Sequence, residues 1–280
     1  MRTFTVLLAM TFLLLGSALA QQTATDEPKG IQDNSFLVEE AYNQEDGIIQ
    51  HIFAFQRTAD SGSWVLSETD EWPLRTIKHQ LSLTLQAAHS GGFQGAGWGD
   101  TLINYRYQAI GSGETRVAFA PRLSMLVPMG DAKYGRGLGR YGVQTNLPLS
   151  VVVSKKFVTH WNAGATWAPH TENDLGQQAG TVGVNLGQSM IWLAKPNFNV
   201  MLETVWYSTE NVIGPGKTER NGTVVMNPGV RGAFNFKNGL QIVPGMSVPL
   251  GVGPSTGEKG VIFYLSFEHP FAFAHSKKSN

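Results

Sequence analysis

The chain has 280 residues, 21 Lys and Arg against 21 Asp and Glu, and no cysteine. Balanced charge removes the electrostatic case for a nucleic-acid partner, and the absence of cysteine excludes disulfides as the stabilising device of an exported chain. After the first twenty residues no apolar run is long enough for a spanning helix. That leaves a soluble exported protein or a transmembrane β-barrel, whose alternating strands average to low hydropathy.

The amino terminus reads as a secretory signal peptide over residues 1–20. Arg2 supplies the positive charge, Phe4 to Leu15 the apolar run, and Ala18-Leu19-Ala20 the small-residue cleavage site. Residues 21–46 are polar and acidic around one patterned piece, Ser35-Phe36-Leu37-Val38. They form an N-terminal segment that either stays in the periplasm or enters the barrel as a plug.

From residue 47 to 273 a period-2 pattern takes over. It predicts segments at 47–56, 62–70, 74–87, 97–110, 114–128, 140–153, 156–168, 178–193, 197–208, 222–236, 239–250 and 260–273. No stretch carries helical periodicity, and residues 274–280 form a C-terminal tail. Short connections are expected at 71–73, 111–113, 154–155, 194–196 and 237–238. Long ones are expected at 89–97, 129–139, 168–177, 209–221 and 251–260. Such alternation belongs to an outer-membrane barrel, with short periplasmic turns and longer extracellular loops.

The two faces of these strands differ in kind. One carries Leu81, Leu83, Leu85, Ile103, Tyr105, Leu123, Met125 and Trp206; the other carries Gln80, Ser82, Thr84, Gln108, Ser124 and Asn162. A sandwich surface in bulk water would be rich in Lys and Glu, whereas this polar face is mostly Ser, Thr, Asn, Gln and Gly. The expected fold is therefore all-β: an antiparallel transmembrane β-barrel of about 12 strands, apolar face to lipid and polar face to a lumen. Trp64, Trp98, Trp167 and Trp206 fall toward the predicted outer strand ends and Trp72 and Trp192 toward the inner ends, as interfacial indoles do. Pro121, Pro148, Pro228 and Pro244 lie inside predicted strands, where proline marks a bulge or a shorter strand. The strand GVIFYLSFEHPFAF, with Phe271 and Phe273 near its end, is similar to the C-terminal signal read by the outer-membrane insertion machinery, although AHSKKSN follows it.

Several stretches resemble a family of bacterial outer-membrane transporters named after the meta-pathway of phenol degradation. They are DNSFLVEEAYNQEDGIIQHI (33–52), GWGDTLINYRYQ (97–108), PRLSMLVPMGD (121–131), MLETVW (201–206) and MNPGVRGAFNFKNGLQIVPGMSVPLG (226–251). The resemblance spans nearly the whole mature chain and rests on the order of the pieces. It implies an outer-membrane barrel that moves small, hydrophobic or aromatic compounds.

Other motifs carry less. Gly137 to Gly142 matches GxGxxG, but a strand and not a helix follows it, against a dinucleotide site. His89-Ser90 invites a lipid-hydrolase reading, yet it is no GxSxG elbow and no base is placed beside the serine. The seven histidines show no metal spacing, and Asn221-Gly222-Thr223 is a sequon without use in a diderm bacterium.

The functional candidates are charged and polar residues on the lumen phase: Asp100, Asn104, Arg106, Arg122, His160, Glu203, Arg231 and Glu268. They either line a permeation path and set its selectivity or stiffen a filled interior through ion pairs. Twelve strands lie between a filled barrel and an open porin, so a narrow or partly plugged pore is expected. The sequence thus reads as a bacterial outer-membrane channel for small solutes by passive diffusion, in contact with outer-membrane lipid. The alternative is a closed barrel acting through its outer loops, with a barrel lipid hydrolase behind both. No catalytic residues, cofactor, metal or nucleic-acid partner are expected.

Overall fold

Alternating apolar and polar residues build one continuous antiparallel sheet that closes on itself. The computed structural model describes residues 31, 33–93 and 95–270. The signal peptide, residues 21–30, Phe271, Phe273 and the tail 274–280 lie outside the described residues.

Twelve strands span the wall. They are β1 (Ile48–Thr58), β2 (Trp64–Leu74), β3 (Thr76–His89), β4 (Gly97–Trp98 and Thr101–Tyr107), β5 (Val117–Phe119 and Arg122–Val127) and β6 (Gly142–Asn146 and Leu149–Ser154). The other six are β7 (Phe157–Glu172), β8 (Gln178–Lys195), β9 (Phe198–Gly214), β10 (Lys217–Gly232 and Phe234–Asn235), β11 (Gln241–Ser247 and Leu250–Gly251) and β12 (Gly260–Pro270). Each strand pairs with its sequence neighbour, and β1 pairs with both β2 and β12, Phe53 lying opposite Leu265 across the closing seam. Closure leaves no unpaired strand edge, the condition a bilayer imposes. The wall has a terminal end, where β1 begins and β12 finishes, and a far end.

The strand breaks follow from proline. Pro121 and Pro148 sit in the interruptions of β5 and β6. Their carbonyls still accept, from Tyr107 N at 3.0 Å and Ala120 N at 3.2 Å, so the ladder loses donors without opening. Pro228 and Pro244 stay in register, opposite Leu202 and Leu265.

Two sets of expected boundaries are corrected. The reversal expected at 71–73 falls at Arg75, which takes φ 64°; Glu71, Trp72 and Pro73 remain in β2, paired with Ser82, Leu81 and Gln80. The expected long loop 209–221 is a paired hairpin extension, Glu210 opposite Arg220 and Val212 opposite Thr218, turning at Pro215-Gly216. Likewise β7 runs to Glu172, which removes half of the expected loop 168–177. Beyond the lipid both faces of a hairpin meet water, so polar residues there no longer alternate and read as loop while the ladder continues.

The outward face is apolar. Leu81, Ile103, Leu123, Met125, Leu186, Leu202 and Phe263 are all exposed. The inward face is polar and buried, with Gln80, Ser124, Asn162, Ser189, Asn227 and Ser266 covered. The interior is filled by the N-terminal segment, residues 33–46, together with Ile31. Two small apolar clusters dock it. Phe36 and Ile31 pack with Ile52, Ala233, Val243 and Tyr264, and Ala41 and Tyr42 pack with Ala118 and Ala120.

Candidate functional site: the plugged lumen

A segment folded into the lumen of a closed barrel finds no strand edge to pair with, yet its buried amides must still be satisfied. Lumen-phase side chains take that part. Glu203 Oε1 accepts from Leu37 N at 2.8 Å and Val38 N at 3.0 Å. Asn162 Oδ1 accepts from Glu39 N at 2.8 Å and Ser150 Oγ from Ala41 N at 2.8 Å. Gln108 Oε1 accepts from Asn43 N at 2.9 Å, and Gln80 Oε1 from Gln44 N at 2.7 Å. Each such bond is worth about 0.5–1.5 kcal/mol net. Together they make a side-chain substitute for a sheet ladder, and they explain why the inward face is rich in amides and hydroxyls and poor in lysine.

Three arginines bind the same segment. Arg231 donates from Nη1 to the carbonyls of Asp33 and Asn34, each at 2.6 Å, and from Nη2 to that of Ile31 at 3.3 Å. Arg106 donates to Asn43 Oδ1 at 2.9 Å and to the carbonyls of Tyr42 at 2.6 Å and Glu40 at 3.3 Å, while Glu71 Oε2 lies 3.4 Å from its Nη2. Arg122 grips the Glu39 carboxylate with two bonds, Nε to Oε2 at 3.0 Å and Nη2 to Oε1 at 2.7 Å, the bidentate geometry a guanidinium favours. At the entering end, Asp33 accepts from Tyr264 Oη at 2.5 Å, Ser266 Oγ at 2.5 Å and Gln50 Nε2 at 2.9 Å.

Missing side chains matter as much. A Cβ on Gly187 would lie 3.1 Å from Val38, one on Gly245 2.9 Å from Phe36, and one on Gly229 would overlap the Phe36 ring. Alanines 118 and 120 similarly leave room for Tyr42.

Of the eight residues expected in the lumen, Arg106, Arg122, Glu203 and Arg231 hold the segment directly. His160 sits beneath it, its Nδ1 2.7 Å from Ser150 Oγ and its ring edge-on to Tyr42. Asn104 ties the wall together, donating to Ser82 Oγ at 3.1 Å and accepting from Arg122 at 2.9 Å. Glu268 lines a cavity at the terminal end. Asp100 does something else: its carboxylate accepts from Gly130 N at 3.1 Å and Leu138 N at 2.7 Å, pinning the far-end loop between β5 and β6. Its place on the polar phase concealed this, because it falls in the break of β4 where strand alternation ends. Sequence reasoning did not single out Ser150, Tyr264 and Ser266 or the glycines at 187, 229 and 245; small residues at lumen positions facing the patterned SFLV piece were the available signal.

His89 and Ser90 do not act on each other. His89 Nδ1 lies 2.8 Å from the Gly95 carbonyl, and Ser90 donates to the Gly135 carbonyl at 2.6 Å. The Gly137–Gly142 stretch belongs to a loop that leads into β6.

Two cavities flank the segment. One, of about 370 Å³, opens at the terminal end beside Glu40, Tyr42 and Gln44. The other, of about 280 Å³, lies between Asn34–Glu39 and wall residues of β1 to β5 and β12.

Comparison with solved structures finds the same architecture. The COG4313 outer membrane channel from Pseudomonas putida F1 superposes with a TM-score of 0.57 at 14% identity, over 89% of this chain and 100% of that one. The NanC porin gives 0.51 at 8% identity, over 79% and 100%. At these identities the likeness establishes the fold, a transmembrane β-barrel of the outer-membrane kind. No protein-family model matches the sequence, and comparison with curated proteins finds no match.

Proposed function

We propose that the protein is a passive channel of a bacterial outer membrane for small hydrophobic or aromatic solutes, closed at rest by its own N-terminal segment. The observation that carries this reading is the way the segment is held. It is seated by reversible hydrogen bonds to a polar wall, with two cavities beside it, and not by a continuous apolar core. The terminal end faces the periplasm and the far-end loops face outside. The resemblance to the phenol-degradation transporter family and the channel architecture of the two structural neighbours support the same direction. The C-terminal strand engages the insertion machinery, and the lumen residues Arg106, Arg122, Glu203 and Arg231 set both closure and selectivity. The reading implies no enzymatic activity.

The test is uptake into liposomes carrying refolded protein, with simple aromatics, small sugars and ions compared in the wild type and in Glu203→Ala. Slow, solute-dependent uptake that accelerates in the variant supports a gated channel. No uptake through either protein, both shown to be folded, favours the second reading, a closed barrel that binds partners at its surface. That reading draws on the pinned far-end loop around Asp100.

A further inference from the structure

The terminal-end cavity is chemically unlike the rest of the lumen. Asp33, Glu39 and Glu203 are each held by two or more hydrogen-bond donors. Glu40 is not. Only 4% exposed, it lines the cavity with Oε2 buried and without a hydrogen-bond partner. Glu45 and Glu268 line the same cavity, and among the described residues no lysine, arginine or histidine does. Two guanidinium groups act on Glu40 through space, and the hydrogen bonds of both go elsewhere: Arg106 to Asn43, to the carbonyls of Glu40 and Tyr42, and to Glu71, and Arg231 to the carbonyls of Ile31, Asp33 and Asn34.

An ionised carboxylate only accepts hydrogen bonds, and a buried one is costly until a cation or donor reaches it. The cavity therefore calls for a ligand bearing positive charge and N–H donors. Its apolar lining, Ile31, Ile48, Pro196 and Ala233, takes a small hydrocarbon body, beside the amide side chains of Asn43, Gln44, Asn235 and Gln241. About 370 Å³ falls within the range of small-molecule sites.

We infer that this cavity is a binding site for a small organic cation, an amine carried on a hydrocarbon or aromatic body, with Glu40 receiving the ammonium group and Glu268 adding charge from the wall. The site gives the proposed channel its substrate class, and to that extent rests on the channel reading. The N-terminal segment is then more than a stopper: it brings Glu40 and Glu45 to a wall whose own contribution to the cavity is Glu268.

Equilibrium binding to the full-length folded barrel in detergent tests this without requiring permeation. Benzylamine, benzyl alcohol and benzoate share one body and differ in charge, and calorimetry on each is compared between wild type, Glu40→Gln and Glu268→Gln. Saturable benzylamine binding is expected, at least tenfold tighter than benzyl alcohol, with no binding of benzoate. Glu40→Gln should weaken it at least fivefold while the heat-dependent gel shift of the folded barrel is unchanged. Equal binding of all three compounds overturns the inference, as does undiminished affinity in a folded Glu40→Gln protein. Saturable binding of Mg²⁺ or Ca²⁺ with no binding of benzylamine also overturns it. Uptake into liposomes, measured separately, keeps the two claims apart. Selective binding without uptake supports the site and contradicts the channel; uptake without selective binding supports the channel and overturns the site.

Discussion

Glu203 carries two amides of the N-terminal segment on one carboxylate oxygen and takes Asn227 on the other at 2.6 Å. Replacing it by alanine leaves two buried N–H groups without acceptors, a cost of about 1–3 kcal/mol each. The expected outcome is a loosened segment in an intact wall, read as faster proteolysis within residues 33–46 with the barrel's heat-dependent gel shift retained. Gly229 makes the opposite kind of test. Gly229→Ala drives a methyl group into the Phe36 ring, and overpacking of this sort costs about 1–3 kcal/mol. The segment should again become protease-sensitive. Adding Phe36→Ala should recover part of the loss, and an additive double variant would count against the contact.

At the scale of elements, the far-end loop between β5 and β6 depends on Asp100, which accepts two of its backbone amides. Asp100→Ala should expose that loop to protease while leaving segment seating and thermal unfolding of the barrel nearly unchanged. A parallel loss of barrel stability would show that Asp100 serves the wall. The hairpin joining β9 and β10 turns at Gly216, whose φ is 66°; any side chain there costs about 1 kcal/mol. Gly216→Val should lower local protection in hydrogen exchange at the tip, where Gly216 N donates to the Gln178 carbonyl at 2.8 Å, and leave solute uptake as it was.

Strand pairing and the two faces were legible because period-2 alternation survives wherever one side meets lipid and the other the lumen: Leu81 and Leu83 outside, Gln80 and Ser82 inside. It failed where that asymmetry ends. At the far end, Glu210–Gly214 and Lys217–Asn221 lose the alternation and read as loop although they pair. At Asp100 a break in β4 turned an apparent lumen residue into a loop anchor. The plug itself was half legible. SFLV stood out as a patterned piece in a polar stretch, but its partners are single residues scattered over the wall. Only closure of the sheet brings Gly229, Ser150 and Glu203 to one thread.

In the whole molecule, the wall and the segment are two distinct parts. Backbone pairing closes the sheet on itself, while the segment is fixed to it by side-chain hydrogen bonds and two small apolar clusters. On the proposed channel reading, the lumen's arginines and carboxylates act in closure first and in selectivity second. Removal of residues 31–46 leaves the Arg106–Glu71 pair, Arg122, Arg231, Glu203 and Glu268 lining an unobstructed lumen. The most direct measurement is single-channel current through planar bilayers for the full-length protein and for a variant lacking residues 31–46, each verified as a folded barrel by its gel shift. The account predicts small, intermittent currents for the full-length chain and steady currents at least tenfold larger for the deletion. A folded deletion variant that conducts no better than the full chain would contradict it.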